Sequence, residues 1–117
     1  MHRVLVTIAA LIILVGPAVV QADDRDDARA QVDFGIEVAM RDLWNEAIFR
    51  FERAIQIDPT YAEAWNNLAI AFENMGRLED ALEAYETALD LDPQNIQIET
   101  NYDLFLEVSD RVNQSNP

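Results

Sequence analysis

The hydrophobic positions of this chain follow the period of an α-helix. From Trp65 onwards, apolar residues recur after three, four and seven positions, which places them on one face of a helix. We therefore expect Trp65 to lie in the core. The same spacing returns after each short polar break. The pattern predicts five helices, over residues 24–41, 44–57, 60–75, 78–91 and 95–112.

Residues that end helices mark the breaks between these segments. Gly76 suits the left-handed backbone of a tight turn. Asp42 stands 34 residues earlier and tolerates that backbone better than most residues do. Pro59 and Pro93 each follow the end of a helix, because the residue before a proline avoids helical angles.

The pattern repeats after 34 residues. When the chain is shifted by that distance, large residues align with large ones and small residues with small ones. Each copy is therefore a helical hairpin, and its small residues let the paired helices approach closely. The aligned pairs include Phe34 with Leu68, Gly35 with Ala69, Val38 with Phe72, Ala47 with Ala81, Phe51 with Tyr85, Ala54 with Ala88, and Pro59 with Pro93.

The second copy carries nine residues at a characteristic spacing: Trp65, Leu68, Ala69, Phe72, Gly76, Ala81, Tyr85, Ala88 and Pro93. In these residues the chain resembles the tetratricopeptide repeat family, whereas the first copy departs from the family pattern at Gln31 and Asp42. The resemblance implies an all-α, right-handed helical-hairpin solenoid of about five helices. Its parts would be repeats at 28–61 and 62–95, a capping helix at 95–112 and a disordered tail at 113–117.

The first 22 residues have a different character. A basic start, an apolar run over residues 4–15, the helix breaker Gly16-Pro17 and a small residue at Ala22 form the pattern of a secretory signal peptide. This predicts an exported protein, periplasmic or secreted, with an acidic lead-in at residues 23–27. The alternative is a retained single-pass membrane anchor, because residues 4–20 are just long enough to span a bilayer.

The composition restricts the possible chemistry and partners. The chain has 22 acidic residues against eight basic ones, a net charge of −14, and such a surface repels the phosphate groups of nucleic acids. A membrane is a predicted partner only if residues 4–20 are retained. The chain has no cysteine, and its single histidine is His2, so thiolate metal sites and the usual proton-transfer residue are missing. The sequence predicts no enzymatic activity, no cofactor and no metal site.

The candidate binding residues come from the resemblance. In such solenoids the first helix of each hairpin lines a concave side. The residues that lie off the packing faces of these helices give that side an apolar centre with an acidic margin, which favours an amphipathic or basic-flanked peptide. The alternative is that residues 23–30 or a second copy cover them. These residues are Val32, Ile36, Met40, Asn66, Ile70, Glu73, Asn74, Leu104 and Val108.

These observations predict a non-catalytic interaction module or scaffold that binds a peptide or helix of another protein. Two alternatives stay open, a membrane-tethered adaptor and a homo-oligomeric structural protein. In a longer array Tyr102 and Leu106 would pack against a following helix, so here they could pair with another copy. A fold of two hairpins has a small core, and forming a homodimer would stabilise it.

Overall fold

The computed structural model describes residues 21–116, and over that range it consists of five α-helices. The helices α1 and α2 form one hairpin, α3 and α4 form the next, and α5 packs against α4 and α3. This confirms the predicted all-α, helical-hairpin fold. Residues 1–20, which hold most of the predicted signal peptide or anchor, lie outside the described residues. The helices are α1 (Ala22–Ala39), α2 (Trp44–Ile57), α3 (Ala62–Asn74), α4 (Leu78–Leu91) and α5 (Ile96–Ser115).

The two hairpin turns have the backbone that the sequence predicts. Gly76 has a φ of +71° and Asp42 has a φ of +60°, so both lie in the left-handed region. In each turn the following residue donates its N–H back into the preceding helix, from Leu43 to the carbonyl of Val38 at 3.1 Å and from Arg77 to Phe72 at 2.9 Å. This bond satisfies a carbonyl that would otherwise be left without a partner at the helix end.

Small residues bring the two helices of each hairpin into close contact. In the first hairpin, a Cβ atom on Gly35 would lie 2.4 Å from Cε1 of the buried Phe51 ring, so only glycine fits there. The second hairpin has Ala69 and Tyr85 at these positions, and both are buried. The two hairpins thus reach the same close approach with different pairs of residues.

The start of α1 contacts the loop at residues 58–61, which connects α2 to α3 and which we call the joint between the two hairpins. The guanidinium of Arg25 donates a hydrogen bond to the buried carboxylate of Asp58 and lies 4.7 Å from the ring centroid of Tyr61. The acidic segment at residues 23–27 forms the first turns of α1, which begins at Ala22, two residues before the predicted start at residue 24. The acidic first turn also suits the positive end of the helix dipole.

Trp65 lies at the edge of the core and not inside it, contrary to our expectation. Its side chain is half-buried, and its indole N–H donates a hydrogen bond to the carbonyl of Pro59 at 2.9 Å. The loop between α2 and α3 thus provides a hydrogen-bond partner for the polar end of the indole ring. Trp65 therefore stabilises the joint between α2 and α3 through this hydrogen bond.

The last helix is longer than predicted. It continues through Ser115 and does not end at residue 112, so residues 113–115 are helical and not a disordered tail. An ion pair between Arg111 and Glu107, one helical turn apart at 3.3 Å, supports this extension. Within residues 21–116 no helix is both long and apolar enough to cross a membrane.

Candidate peptide-binding groove

The candidate binding surface consists of residues on α1 and α3, the first helices of the two hairpins, and on α5. Ile36 on α1, Ile70 on α3 and Leu104 on α5 follow one another at intervals of 34 residues. Ile36 is 36% exposed and Leu104 is 56% exposed, whereas Ile70 is half-buried. Equivalent positions in the repeat thus present three aliphatic side chains to solvent.

An apolar cavity of about 240 Å³ lies between α1 and α3. Trp44 enters it from the start of α2, because the hairpin turn brings that residue back beside the end of α1. The single polar side chain among the lining residues belongs to Asn67, so the cavity suits an aliphatic or aromatic side chain of a ligand. Its lining residues are Ile36, Ala39, Met40, Trp44, Phe51, Asn67 and Ile70.

A polar cavity of about 260 Å³ adjoins the apolar one. The two share Ile36, Asn67 and Ile70, and we call them together the concave groove. The amide and carboxylate groups of the polar part can exchange hydrogen bonds with the backbone of an extended or helical peptide. Its lining residues are Ile36, Glu63, Asn66, Asn67, Ile70, Asn95, Gln97 and Ile98.

Val32 does not belong to this site, so that prediction is wrong. Its side chain is fully buried in the core. The physical reason is that α1 packs against α3 as well as against α2, so this helix has two buried faces and not one. Asn66, at the equivalent position of α3, is only 5% exposed, and its Oδ1 accepts a hydrogen bond from Asn101 at 3.2 Å.

Two further predicted residues take part in hydrogen bonds within the chain. Glu73 accepts a hydrogen bond from the Tyr85 hydroxyl at 3.0 Å. Burial of Tyr85, together with the neighbouring Glu73 carboxylate, raises the pKa of the Tyr85 hydroxyl far above its usual value. Asn74 is exposed, and its amide donates to the carbonyl of Ile70 at 2.8 Å. Neither Glu73 nor Asn74 lines the concave groove.

The predicted residues of α5 stand apart from the concave groove. Leu104 and Val108 are 56% and 44% exposed, but neither lines the two cavities. Tyr102 is half-buried, with its ring 6.0 Å from that of Tyr85 and its hydroxyl 3.4 Å from Glu86. Leu106 is half-buried and lines a separate cleft between α4 and α5.

The structure therefore brings together Ile36, Met40, Asn66 and Ile70 from the predicted set. The rest of the concave groove lies outside the predicted set and consists of Ala39, Trp44, Phe51, Glu63, Asn67, Asn95, Gln97 and Ile98. The position of Trp44 just after the turn at Asp42 is the signal that could have placed it near the end of α1.

Two sequence profiles match the chain. One, described as "Tetratricopeptide repeat", matches residues 62–95, and the other, described as "TPR repeat", matches residues 43–76. The chain belongs to the tetratricopeptide repeat family. The first match covers α3 and α4 and the second covers α2 and α3, so α1 lies outside both matches.

Several known proteins are similar to this chain. The chloroplastic tetratricopeptide repeat domain-containing protein PYG7 of Arabidopsis thaliana is 38% identical over 73 residues, 62% of this chain and 24% of that protein. The peroxisomal targeting signal receptor of Saccharomyces cerevisiae is 31% identical over 75 residues, 64% of this chain and 12% of the receptor. The crystal structure of MamA superposes with a TM-score of 0.65 at 30% identity, covering 70% of this chain and 48% of MamA. The chain thus spans about a quarter or less of the two curated relatives.

The electrostatics of this tetratricopeptide repeat protein are dominated by carboxylates. Six of the seven arginines in residues 21–116 are in ion pairs, and Arg53 donates a hydrogen bond to Gln56. The one charged residue that lines the concave groove is Glu63. Among the described residues, no group of three or more His, Cys, Asp or Glu side chains is arranged to hold a metal ion.

Proposed function

We propose that this tetratricopeptide repeat chain is a non-catalytic protein-interaction module that binds a peptide or helix of another protein in the concave groove. The observation that carries the proposal is the apolar cavity between α1 and α3, whose walls include the 82%-exposed Met40 and the half-buried Trp44. Helical solenoids use such concave surfaces for binding. An apolar cavity beside amide and carboxylate groups suits one anchoring side chain and the backbone around it.

The relatives support a protein ligand. By its name, the yeast relative is a receptor for a peroxisomal targeting signal, so its role is to recognise part of another protein. The segment that this chain shares with that receptor covers 64% of this chain. We propose that this chain also recognises a segment of another protein. The proposal does not extend to a peroxisomal targeting signal as its ligand.

The charges favour a ligand with basic flanks. Glu63 borders the groove, and the net charge of the chain is −14. Cationic side chains beside the anchoring residue would be attracted by this field, whereas nucleic acids and anionic membranes would be repelled. The proposed ligand is therefore an apolar segment flanked by lysine or arginine.

Selection from a peptide display library tests this proposal. The wild-type chain should enrich peptides with an aliphatic or aromatic anchor and basic flanks. Ile36→Glu and Ile70→Glu should each weaken binding of these peptides by about tenfold or more, because each places a carboxylate in the apolar cavity. Phe49→Glu is the matched control, since Phe49 is 55% exposed on α2 and lies outside the groove. Unchanged binding by both isoleucine variants would refute the groove as the binding site.

We further propose that the protein is exported and that residues 1–22 are removed. Cleavage before Asp23 would leave the contact between Arg25 and Asp58 intact, so the mature chain would keep the anchor of α1. Mass spectrometry of the protein from its native host should find an N-terminus at Asp23. An N-terminus at Met1 in a membrane fraction would instead support the membrane-tethered adaptor.

A further inference from the structure

A second open surface lies between α4 and α5 and shares no residue with the concave groove. It is a cleft of about 660 Å³, which we call the α4–α5 cleft. Its apolar residues are Leu78, Leu82, Phe105 and Leu106, and the acidic residues Glu79, Asp80 and Asp110 are also part of its lining.

The repeat explains why this cleft exists. The helix α5 stands where a third hairpin would begin, and its Ile98 and Phe105 are buried like Ala64 and Ala71, their equivalents on α3. Within residues 21–116, α5 is not followed by the second helix of such a hairpin. Ile48 on α2, the helix that packs against α3 of the second hairpin, is 7% exposed, whereas Leu82, its equivalent on α4, is half-buried and lines the cleft. The α4–α5 cleft therefore corresponds to the position that a further second helix would fill.

The described part of the chain does not fill this position itself. Asp42 and Gly76 provide the left-handed turns of the two hairpins, and the equivalent position on α5 is Asp110. Asp110 lies inside α5, which continues to Ser115 without turning back. Residues 111–115 therefore extend away along the axis of α5 and do not form the missing helix.

The charges indicate what kind of helix would fit. Asp103 on α5 is exposed and stands at the position of Gly35 and Ala69, where the second helix of each hairpin comes closest. A helix docked here would meet this carboxylate together with the acidic residues of the cleft. Arg77 also lines the cleft, but it is paired with Asp80 at 2.8 Å, and Arg111, next to Asp110 on α5, is paired with Glu107 at 3.3 Å. Asp110 and Glu79 are therefore the lining carboxylates that no arginine neutralises in an ion pair among residues 21–116.

A second copy of this chain is a poor fit for the same reason. Its α4, which has the right packing face, carries five acidic residues and no basic residue between positions 78 and 91. Like charges across an interface oppose association, whereas opposite charges steer and favour it. A helix that fits this cleft would have an apolar face like that of α4, but with basic residues in place of the acidic residues of α4.

We propose that the α4–α5 cleft docks an amphipathic helix of another protein, with small and apolar residues on one face and lysine or arginine around them. The docked helix lies along the α4–α5 cleft, further from α5 than α2 lies from α1, because Asp103 stands where the hairpins have a small residue. It buries Leu82 and Leu106 and pairs its cations with Asp103 and Asp110.

Two synthetic peptides test the proposal with the full chain. One has the sequence of residues 78–91, and the other has the same sequence with its five acidic residues replaced by lysine. We expect the lysine peptide to bind in a 1:1 complex, with an affinity that falls as salt rises, because salt screens charges that lie near the surface. The acidic peptide should bind at least about tenfold more weakly, since it repels the same carboxylates.

Variants assign the binding to this cleft. Leu106→Glu should weaken binding of the lysine peptide by about tenfold or more, because it places a charge in the contact face. The double variant Asp103→Asn, Asp110→Asn, which leaves the apolar contacts in place, should weaken it by about threefold to tenfold. Ile36→Glu, which alters only the concave groove, should bind the lysine peptide as the wild type does, so this surface and the groove are tested separately.

Three results would overturn the proposal. The first is equal affinity of the acidic and the lysine peptides. The second is binding of the lysine peptide that neither Leu106→Glu nor the double variant changes. The third is a dimer at tens of micromolar, seen by sedimentation and abolished by Leu106→Glu, because a second copy would then occupy the cleft.

Discussion

The joint that follows each hairpin begins with the same Asp-Pro pair, yet the two joints are held in different ways. Asp58, in the joint between α2 and α3, is fully buried and accepts hydrogen bonds from Arg25 and Thr60. Asp92, in the joint between α4 and α5, is half-buried and accepts a hydrogen bond from Asn95, three residues away, at 3.0 Å. The first joint is therefore fixed by a contact across the fold, and the second by its own neighbours.

The largest loss of stability should come from removing the contact between Arg25 and Asp58. Arg25→Ala leaves the buried carboxylate of Asp58 without its cation, which should lower the free energy of unfolding by about 2 kcal/mol. The loss stays below that for a fully buried pair, because the Arg25 side chain is 39% exposed. Urea denaturation measures it. Arg41→Ala, which removes an exposed pair with Glu37, is the control and should have little effect. Equal losses in the two variants would contradict the assigned role of Arg25.

The close contact inside the first hairpin should give the next largest effect. Gly35→Ala places a methyl group against the Phe51 ring and should destabilise the chain by about 1–2 kcal/mol, although alanine is the better helix former. Adding Phe51→Leu should recover part of the loss, because the smaller side chain leaves room for the methyl group. Thermal unfolding of the two variants checks this, and a Gly35→Ala chain that is more stable than the wild type would contradict it.

The sequence was sufficient for the features that depend on local pattern. The helical period predicted five helices, and Asp42 and Gly76 predicted both turns, because backbone conformation depends on each residue and its neighbours. The contact between Arg25 and Asp58 joins residues 33 positions apart, and no local pattern distinguishes this pair from the other charged residues nearby. Val32 was misplaced for a similar reason, since a single helical period does not reveal that α1 is buried on two sides.

Loss of the N-cap of α5, which lies in the second joint, should destabilise the chain. The side chain of Asn95 accepts hydrogen bonds from the N–H groups of Gln97 and Ile98, at 3.1 and 3.2 Å, and so caps α5. Asn95→Ala should lower the free energy of unfolding by about 1 kcal/mol. Asn95→Ser, which keeps an accepting oxygen at the N-cap and adds no charge beside Asp92, should preserve most of the stability. If both substitutions cost the same, the cap is not what holds this joint.

The smallest expected effect is a pH dependence of the free energy of unfolding that arises from Asp58 in the first joint. Burial alone would raise the pKa of Asp58, but the hydrogen bonds from Arg25 and Thr60 outweigh it and hold that pKa below its usual value. A carboxyl group with a lowered pKa stabilises the fold above its unfolded pKa of about 3.9, and this contribution is lost as the pH falls through the folded value. Wild type should therefore exceed Asp58→Asn in stability by a constant amount above about pH 5, and the difference should shrink below about pH 4. Denaturation of both chains from about pH 6 down to about pH 3 measures the difference. A gap that stays constant through this range would mean that the charge of Asp58 contributes nothing to the joint.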